Sequence, residues 1–170
     1  MDQGDTVSEE QTAEEHSILE QVEQSERQLN DLERELRDID GELEFLVYEG
    51  RRFTYDSFYA AVDGLAASLQ LDLGVKKGDR IALISTTNRT EWNIMDIGVL
   101  QLGAQNVPIY PTISEEDYAY ILNHSEAKYV FVSCAEVYEK IEAIRDQLSS
   151  VIDVYSFNQL DDCKHWSELL

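Results

Sequence analysis

Three short apolar runs set the limits on what this chain can fold into. Residues 80–85 (RIALIS), 128–133 (KYVFVS) and 151–157 (VIDVYSF) are all of strand length. The first two are apolar almost throughout instead of alternating, the pattern of strands buried on both faces in a parallel sheet. Segments of helical period lie between them. Trp92, Met95, Val99 and Leu102 fall on one face, and Val137, Ile141, Ile144 and Leu148 on another. Strand and helix alternating at short intervals predict an α/β fold: a partial doubly wound parallel sheet with right-handed crossovers and flanking helices.

The remaining elements follow from turn and cap chemistry. Leu46-Val47-Tyr48, Glu49-Gly50 and residues 51–54 read as a β-hairpin with glycine in its turn. Thr54 or Asp56 can cap a helix carrying Phe58, Ala61, Val62, Leu65, Ala66 and Leu69 on one face, down to about Leu71. Gly74 fits a left-handed position after that helix. Thr90 is the expected N-cap of the next helix, with Asn93 at N3 and Gly103 closing it. Pro108 places residues 106–109 at a strand end. Ser114 and Asp117 form a capping signature before a helix from Glu115 to about Asn123. A further helix is predicted over 135–148. Tyr110, Tyr118 and Tyr120 read as a core aromatic cluster. Ligands of such sheets bind at the carboxyl ends of the strands, which predicts a site among loops 85–89, 110–114 and 133–136.

The N-terminal quarter is a different kind of chain. Residues 1–44 hold 16 acidic and 3 basic side chains, and no aromatic residue or proline. Residues 1–15 have almost nothing apolar to bury and are expected to form a disordered acidic tail. From there Ile18, Val22, Ser25, Leu29, Leu32, Leu36, Ile39, Leu43 and Leu46 recur at spacings of four and three, a heptad seam. It predicts an amphipathic, coiled-coil-like helix over residues 16–44, running from about Glu14 to about Ile39 and fraying near Gly41. The e and g positions hold Gln21, Glu26, Gln28, Glu33, Glu35, Asp40 and Glu42, with no lysine or arginine among them. A homodimer would set acid against acid. The seam could pack on its own chain, self-pair, or meet a basic helical partner through residues 18–46.

Composition excludes several classes. The formal net charge of −22 repels phosphate backbones, so no nucleic-acid partner is expected. No run of 18 apolar residues suggests a transmembrane segment. The acidic start matches no secretory or mitochondrial leader, and the expected location is cytoplasmic. Cys134 and Cys163 are too few for a disulfide framework. Cys163 and His165 lack further ligands for a metal. Neither G-x-G-x-x-G nor G-x-x-x-x-G-K-[ST] occurs. The residues by themselves thus nominate no catalytic, cofactor-binding or metal-binding side chain.

A resemblance adds to this reading. Residues 53–58 (FTYDSF) resemble the first core motif of the adenylate-forming, AMP-binding synthetases. Residues 73–83 (LGVKKGDRIAL) follow at the expected distance, and residues 102–111 (LGAQNVPIYP) are similar to the second core motif. Within that superfamily, residues 88–93 (NRTEWN), 110–118 (YPTISEEDY) and 164–166 (KHW) resemble long-chain fatty acid CoA ligases. The resemblance covers residues 45–170, which it identifies as an N-terminal fragment of an adenylation domain. It implies a two-step ligation. A fatty acid carboxylate attacks the α-phosphate of Mg-ATP to give acyl-adenylate and diphosphate, and coenzyme A then displaces AMP. ATP, magnesium and coenzyme A are therefore implied for the full-length family, and none is expected to bind this fragment. The family's phosphate loop, adenine and metal region, ribose-binding aspartate and catalytic lysine are placed later in its chains. The matched residues are implied to be scaffold: Gly74, Gly78 and Gly103 for turns, Pro108 and Pro111 for the strand exit.

The expectation is an N-terminal piece of a long-chain acyl-CoA ligase, inactive alone. The alternatives are a non-catalytic coiled-coil module with a remnant α/β domain, or one half of a split ligase.

Overall fold

The computed structural model describes residues 5–48 and 50–170. The chain divides into two compact units, Met1–Leu43 and Glu44–Leu170.

The first unit is one helix, α1 (Asp5–Glu42). It is longer than the spacing predicts. The stretch read as an acidic tail is helical from Asp5 onward, and the helix passes through Gly41 instead of fraying there. No proline interrupts it. The seam residues Ile18, Val22, Leu29, Leu32, Leu36 and Ile39 are all exposed. Leu46 does not continue the seam. It lies in the second unit, packed against that unit's core.

The second unit opens with the hairpin β1 (Glu44–Tyr48) and β2 (Arg51–Thr54), antiparallel with Tyr48 opposite Arg51. Gly50 turns it with φ +78°. Then come α2 (Tyr55–Leu71), β3 (Arg80–Ile84), α3 (Thr90–Gln101), β4 (Gln105–Ile109), α4 (Glu115–Ser125), β5 (Tyr129–Val132), α5 (Ala135–Ala143), β6 (Asp153–Ser156) and β7 (Lys164–His165). Strands β3 to β7 form a five-stranded sheet, parallel throughout, in the order β4-β3-β5-β6-β7.

The two apolar runs behave as strands buried on both faces. In β3, Ile81 and Leu83 join a core with Phe58, Val62, Leu65 and Leu69 of α2 and Ile94, Met95 and Val99 of α3. Ala82 and Ile84 face the opposite way, toward Tyr118 and Leu122 of α4 and Val137 and Ile141 of α5. Phe131 and Val130 of β5 divide in the same manner. Helices thus cover both faces, as expected of a doubly wound sheet.

Caps follow the side chains in part. The Thr54 hydroxyl accepts the Ser57 N–H at 3.2 Å, and the Ser114 hydroxyl accepts the Asp117 N–H at 3.2 Å. Thr90 is not a cap. Arg89 occupies that position without a capping side chain, and Thr90 is the buried first residue of α3. The helix predicted over 135–148 ends at Ala143, and Arg145–Gln147 form a 3-10 turn. Ile144 is buried there, and Arg145 donates to the Ile152 carbonyl at 2.8 Å, which turns the chain back toward β6. The closing segment, unassigned by pattern, supplies β7 and the 3-10 turn Trp166–Leu169, whose Trp166 and Leu169 enter the first core. Of the tyrosine trio only Tyr118 is buried. Tyr110 and Tyr120 are exposed, so the cluster is not a core cluster.

Candidate functional site

The connection after β3 runs to β4 through α3 on one face of the sheet. The connection after β4 crosses back over β3 to β5 through α4 on the other face. Direction and face reverse together, so both crossovers have the same hand. β3 leads on to β4 on one side and its other neighbour β5 leads on to β6 on the other, through α3 and α5 on opposite faces, so the carboxyl ends of β3 and β5 part there. This is the topological switch point, where doubly wound sheets hold ligands.

A cavity of about 620 Å³ opens beside it, between the carboxyl ends of β3 and β4. Residues 85–89 wall one side and residues 108–111 the other, with Trp92 and Asn93 of α3 between them. Loop 85–89 and the start of loop 110–114, Tyr110 and Pro111, come together there as expected. The third predicted loop contributes differently, bracing the wall through Ser133. The Thr86 N–H donates to the Ser133 hydroxyl at 3.0 Å, and the Ser133 N–H to the Ile84 carbonyl at 3.0 Å. Within the wall, the Ser85 hydroxyl donates to the Thr87 carbonyl at 2.7 Å.

Arg89 ties these parts together. Its Nη1 donates to the Ser133 carbonyl at 3.1 Å and to Asn158 Oδ1 at 3.2 Å, and its Nε donates to the Glu91 carboxylate. The guanidinium carbon lies 5.1 Å from the Phe157 ring centroid, within cation–π range. One side chain thus joins the chain after β3, after β5 and after β6. On the opposite wall, the Tyr118 hydroxyl donates to the Tyr110 carbonyl at 3.2 Å and fixes the exit of β4. Burial, with a smaller push from the Glu136 charge, raises the Tyr118 phenol to about 12, so it stays a neutral donor.

The lining decides what the cavity can hold. Its polar groups are hydroxyls and amides, its apolar ones Trp92, Ile109, Tyr110 and two prolines. Its one basic side chain, Arg89, already serves Glu91, Ser133 and Asn158. The cavity therefore lacks the free cations and glycine-rich backbone that cradle a polyphosphate. It suits a ligand part with apolar surface and neutral hydrogen-bonding groups.

The remaining candidates are occupied structurally. His165 Nε2 lies 3.0 Å from the Phe157 carbonyl and Nδ1 2.6 Å from the Ser167 hydroxyl, a cap for the last turn. Cys163 Sγ rests 3.6 Å from the Val154 carbonyl, and burial pushes its thiol up to about 11. Among the described residues no group of three His, Cys, Asp or Glu side chains is placed to hold a metal ion. No described helix is long and apolar enough to cross a membrane. The scaffold glycines do what the motifs implied: Gly74, Gly78 and Gly103 hold φ of +67°, +85° and +69°. The bracing role of Arg89 is not readable from the sequence, where the residue only ends a predicted site loop and belongs to the family-like segment 88–93.

Comparison with known proteins agrees with this architecture. Residues 37–169 match the family described as AMP-binding enzyme. A long-chain-fatty-acid–CoA ligase of Mycobacterium bovis is 41% identical over 91 residues, which are 49% of this chain and 15% of the ligase. A 4-hydroxybutyrate–CoA ligase of Metallosphaera sedula is 35% identical over 107 residues, 63% of this chain and 19% of that enzyme. The chain thus spans less than a quarter of the length of these relatives. Among solved structures, a fatty acyl CoA synthetase of Mycobacterium tuberculosis superposes with a TM-score of 0.56 at 32% identity, over 62% of this chain and 21% of that one. An anthranilate CoA ligase in complex with anthranoyl-AMP gives a TM-score of 0.70 at 22% identity, over 77% and 25%, and so shows the shared fold. The parallel sheet of this chain, the crevice at its strand ends and its core motifs agree with the family match: the chain belongs to the AMP-binding enzyme family.

Proposed function

We propose that residues 44–170 form the N-terminal part of the adenylation domain of a long-chain acyl-CoA ligase, which joins a fatty acid to coenzyme A at the expense of ATP. The observation that carries this reading is the 41% identity to a long-chain-fatty-acid–CoA ligase. It rests also on the segments resembling such ligases, residues 88–93 and 110–118, of which Asn88, Arg89, Trp92, Asn93, Tyr110 and Pro111 line the crevice.

Mg-ATP does not fit the residues present. The crevice has no free cation, and the described residues hold no cluster of metal ligands. No step of adenylate formation is therefore assigned to these side chains. Their part is to build and brace one wall of a larger site, with Arg89 and Tyr118 holding the loops in register.

The test has two arms. The purified 170-residue polypeptide is assayed for palmitate-dependent exchange of diphosphate into ATP, and no exchange is expected. An antibody to the α1 sequence then captures the native polypeptide from its source cells, and the captured species is assayed for palmitoyl-CoA formation. Exchange by the short polypeptide would overturn the statement that it holds no ATP chemistry. A captured species that activates only short or aromatic acids would overturn the long-chain reading.

A further inference from the structure

The charges on α1 are sorted by face. With Val22, Leu29 and Leu36 at a and Ile18, Ser25, Leu32 and Ile39 at d, the three arginines fall at f (Arg27, Arg34) and b (Arg37), the positions turned away from the seam. Two of them are paired on that outer face. Arg27 Nη2 lies 3.3 Å from Glu23 Oε2, and Arg34 Nη2 lies 3.7 Å from Asp31 Oδ1. The seam itself is flanked at e and g by Glu26, Glu33, Glu35, Asp40 and Glu42, with no base to answer them. Its apolar side chains stand 48–62% exposed. Ser25, the polar d residue, donates its hydroxyl to the Gln21 carbonyl at 2.8 Å, so it presents no free donor to the seam.

We propose that this seam docks a basic amphipathic helix of another protein. An apolar stripe over three heptads matches a helix with apolar a and d positions. The flanks select its charge. A second copy of α1 would bring acid against acid in parallel or antiparallel pairing. A helix with lysine or arginine at e and g would meet an opposite charge from Glu26 onward. The arginines of α1 do not offset the repulsion, because they fall at f and b, and Arg27 and Arg34 already face their own acids. The docking segment is Ile18–Ile39, shorter than the seam read from sequence, since the helix ends at Glu42 and Leu46 belongs to the hairpin.

The test uses the whole 170-residue chain and a synthetic 28-residue peptide with leucine at a and d and lysine at e and g. Light scattering and titration calorimetry at pH 7 and 0.15 M salt follow assembly. The chain alone should be a monomer, and should bind one peptide with affinity falling at least roughly tenfold between 0.05 and 0.5 M salt, as screening predicts. The double variant Leu29→Gln and Leu36→Gln, which keeps good helix formers, should lose the peptide. The quadruple variant Glu26→Lys, Glu33→Lys, Glu35→Lys and Glu42→Lys should reject the lysine peptide and accept its glutamate counterpart. Circular dichroism confirms that each variant keeps the helix. A stable homodimer through the seam would overturn the proposal. So would peptide binding that survives the glutamine substitutions, which would mark mere charge attraction without a seam.

Discussion

Arg89 and Glu91 form an ion pair largely closed to solvent: Nε lies 3.1 Å from Oε2, with the side chains 13% and 10% exposed. The pair stands at the point where α3 begins, and Arg51 approaches the same carboxylate from the hairpin at 3.6 Å. A buried pair is weak evidence of net stabilisation, because both ions gave up water to form it. Removing one partner is costly, because the other charge is left behind. Arg89→Met is therefore expected to destabilise the chain by roughly 3 kcal/mol, read as a lowered urea midpoint. Glu91→Gln should cost less, since glutamine can still accept from Nε and the Arg89 charge left behind keeps its hydrogen bonds to Ser133 and Asn158 and its place over the Phe157 ring. Equal, negligible effects of both substitutions would show that the pair does not brace the crevice.

The same pair gives a pH dependence of definite sign. Burial pushes the Glu91 carboxyl up, but the Arg89 hydrogen bond and the charges of Arg89 and Arg51 outweigh it, so the group sits below its ordinary 4.5. A carboxyl depressed in the folded state stabilises the fold above its unfolded value, and that contribution disappears as pH falls through the folded value. The difference in urea midpoint between the wild type and Glu91→Gln should be constant above about pH 5.5 and shrink steadily below 4.5. Asp79 follows the same rule. Burial opposes its ionisation, yet the Lys128 ammonium at 2.7 Å and the Lys76 N–H hold it below its usual 3.8. A difference that grew on acidification would contradict this sign.

Cys163 should be an unreactive thiol despite its place near the end of the chain. Burial is the chief cause of its rise to about 11, with Asp153, Glu142 and Glu168 adding negative charge nearby. At pH 8 about one molecule in a thousand would carry the thiolate, the species that reacts with disulfide reagents. In a Cys134→Ala variant, reaction with a chromogenic disulfide is expected to be more than a hundredfold slower than that of free cysteine, and to become fast in urea. Rapid reaction of the folded variant would show that the site is open.

Much of the sheet was legible because its strands write their burial locally. The runs at β3 and β5 are apolar on both faces, and Ile81 and Ala82 alone announce two cores. Turns were legible where one residue carries the conformation, as Gly103 does. Elements fixed by distant contacts were not. The end of α5 depends on Arg145 reaching the Ile152 carbonyl, and β7 is two residues paired only with β6. The candidate site divides along the same line. The crevice lies at the carboxyl ends of β3 and β4, so loop 85–89 and the first residues of loop 110–114 line it, while loop 133–136 does not. The role of Arg89 rests on Ser133, Phe157 and Asn158, residues the fold brings together from three strand ends and no local pattern connects. Thr90 shows the converse. Its residue type favours a cap, but Thr90 is buried as the first residue of α3 and Arg89 takes the cap position.

Gly98 marks the closest approach of α3 to α2. A Cβ placed there would lie 3.2 Å from Leu65 Cδ2 and 3.5 Å from the Val62 carbonyl oxygen. Leu65 is fully buried, so it can yield only by displacing its neighbours in the core beneath α2 and α3. Alanine at this helical position gains about 0.8–1 kcal/mol of helix propensity over glycine, which offsets a shift of a few tenths of an ångström at Leu65. Gly98→Ala is therefore expected to be close to neutral. Gly98→Val adds two methyl groups to the same contact and brings little of that propensity gain. It should cost roughly 2 kcal/mol through overpacking. Combining Gly98→Val with Leu65→Ala makes room for the new methyls, so the double variant should be less destabilised than the sum of the two single ones. A double-mutant cycle in urea measures this directly. Strict additivity would show that the α2–α3 contact at Gly98 is looser than the 3.2 Å approach implies.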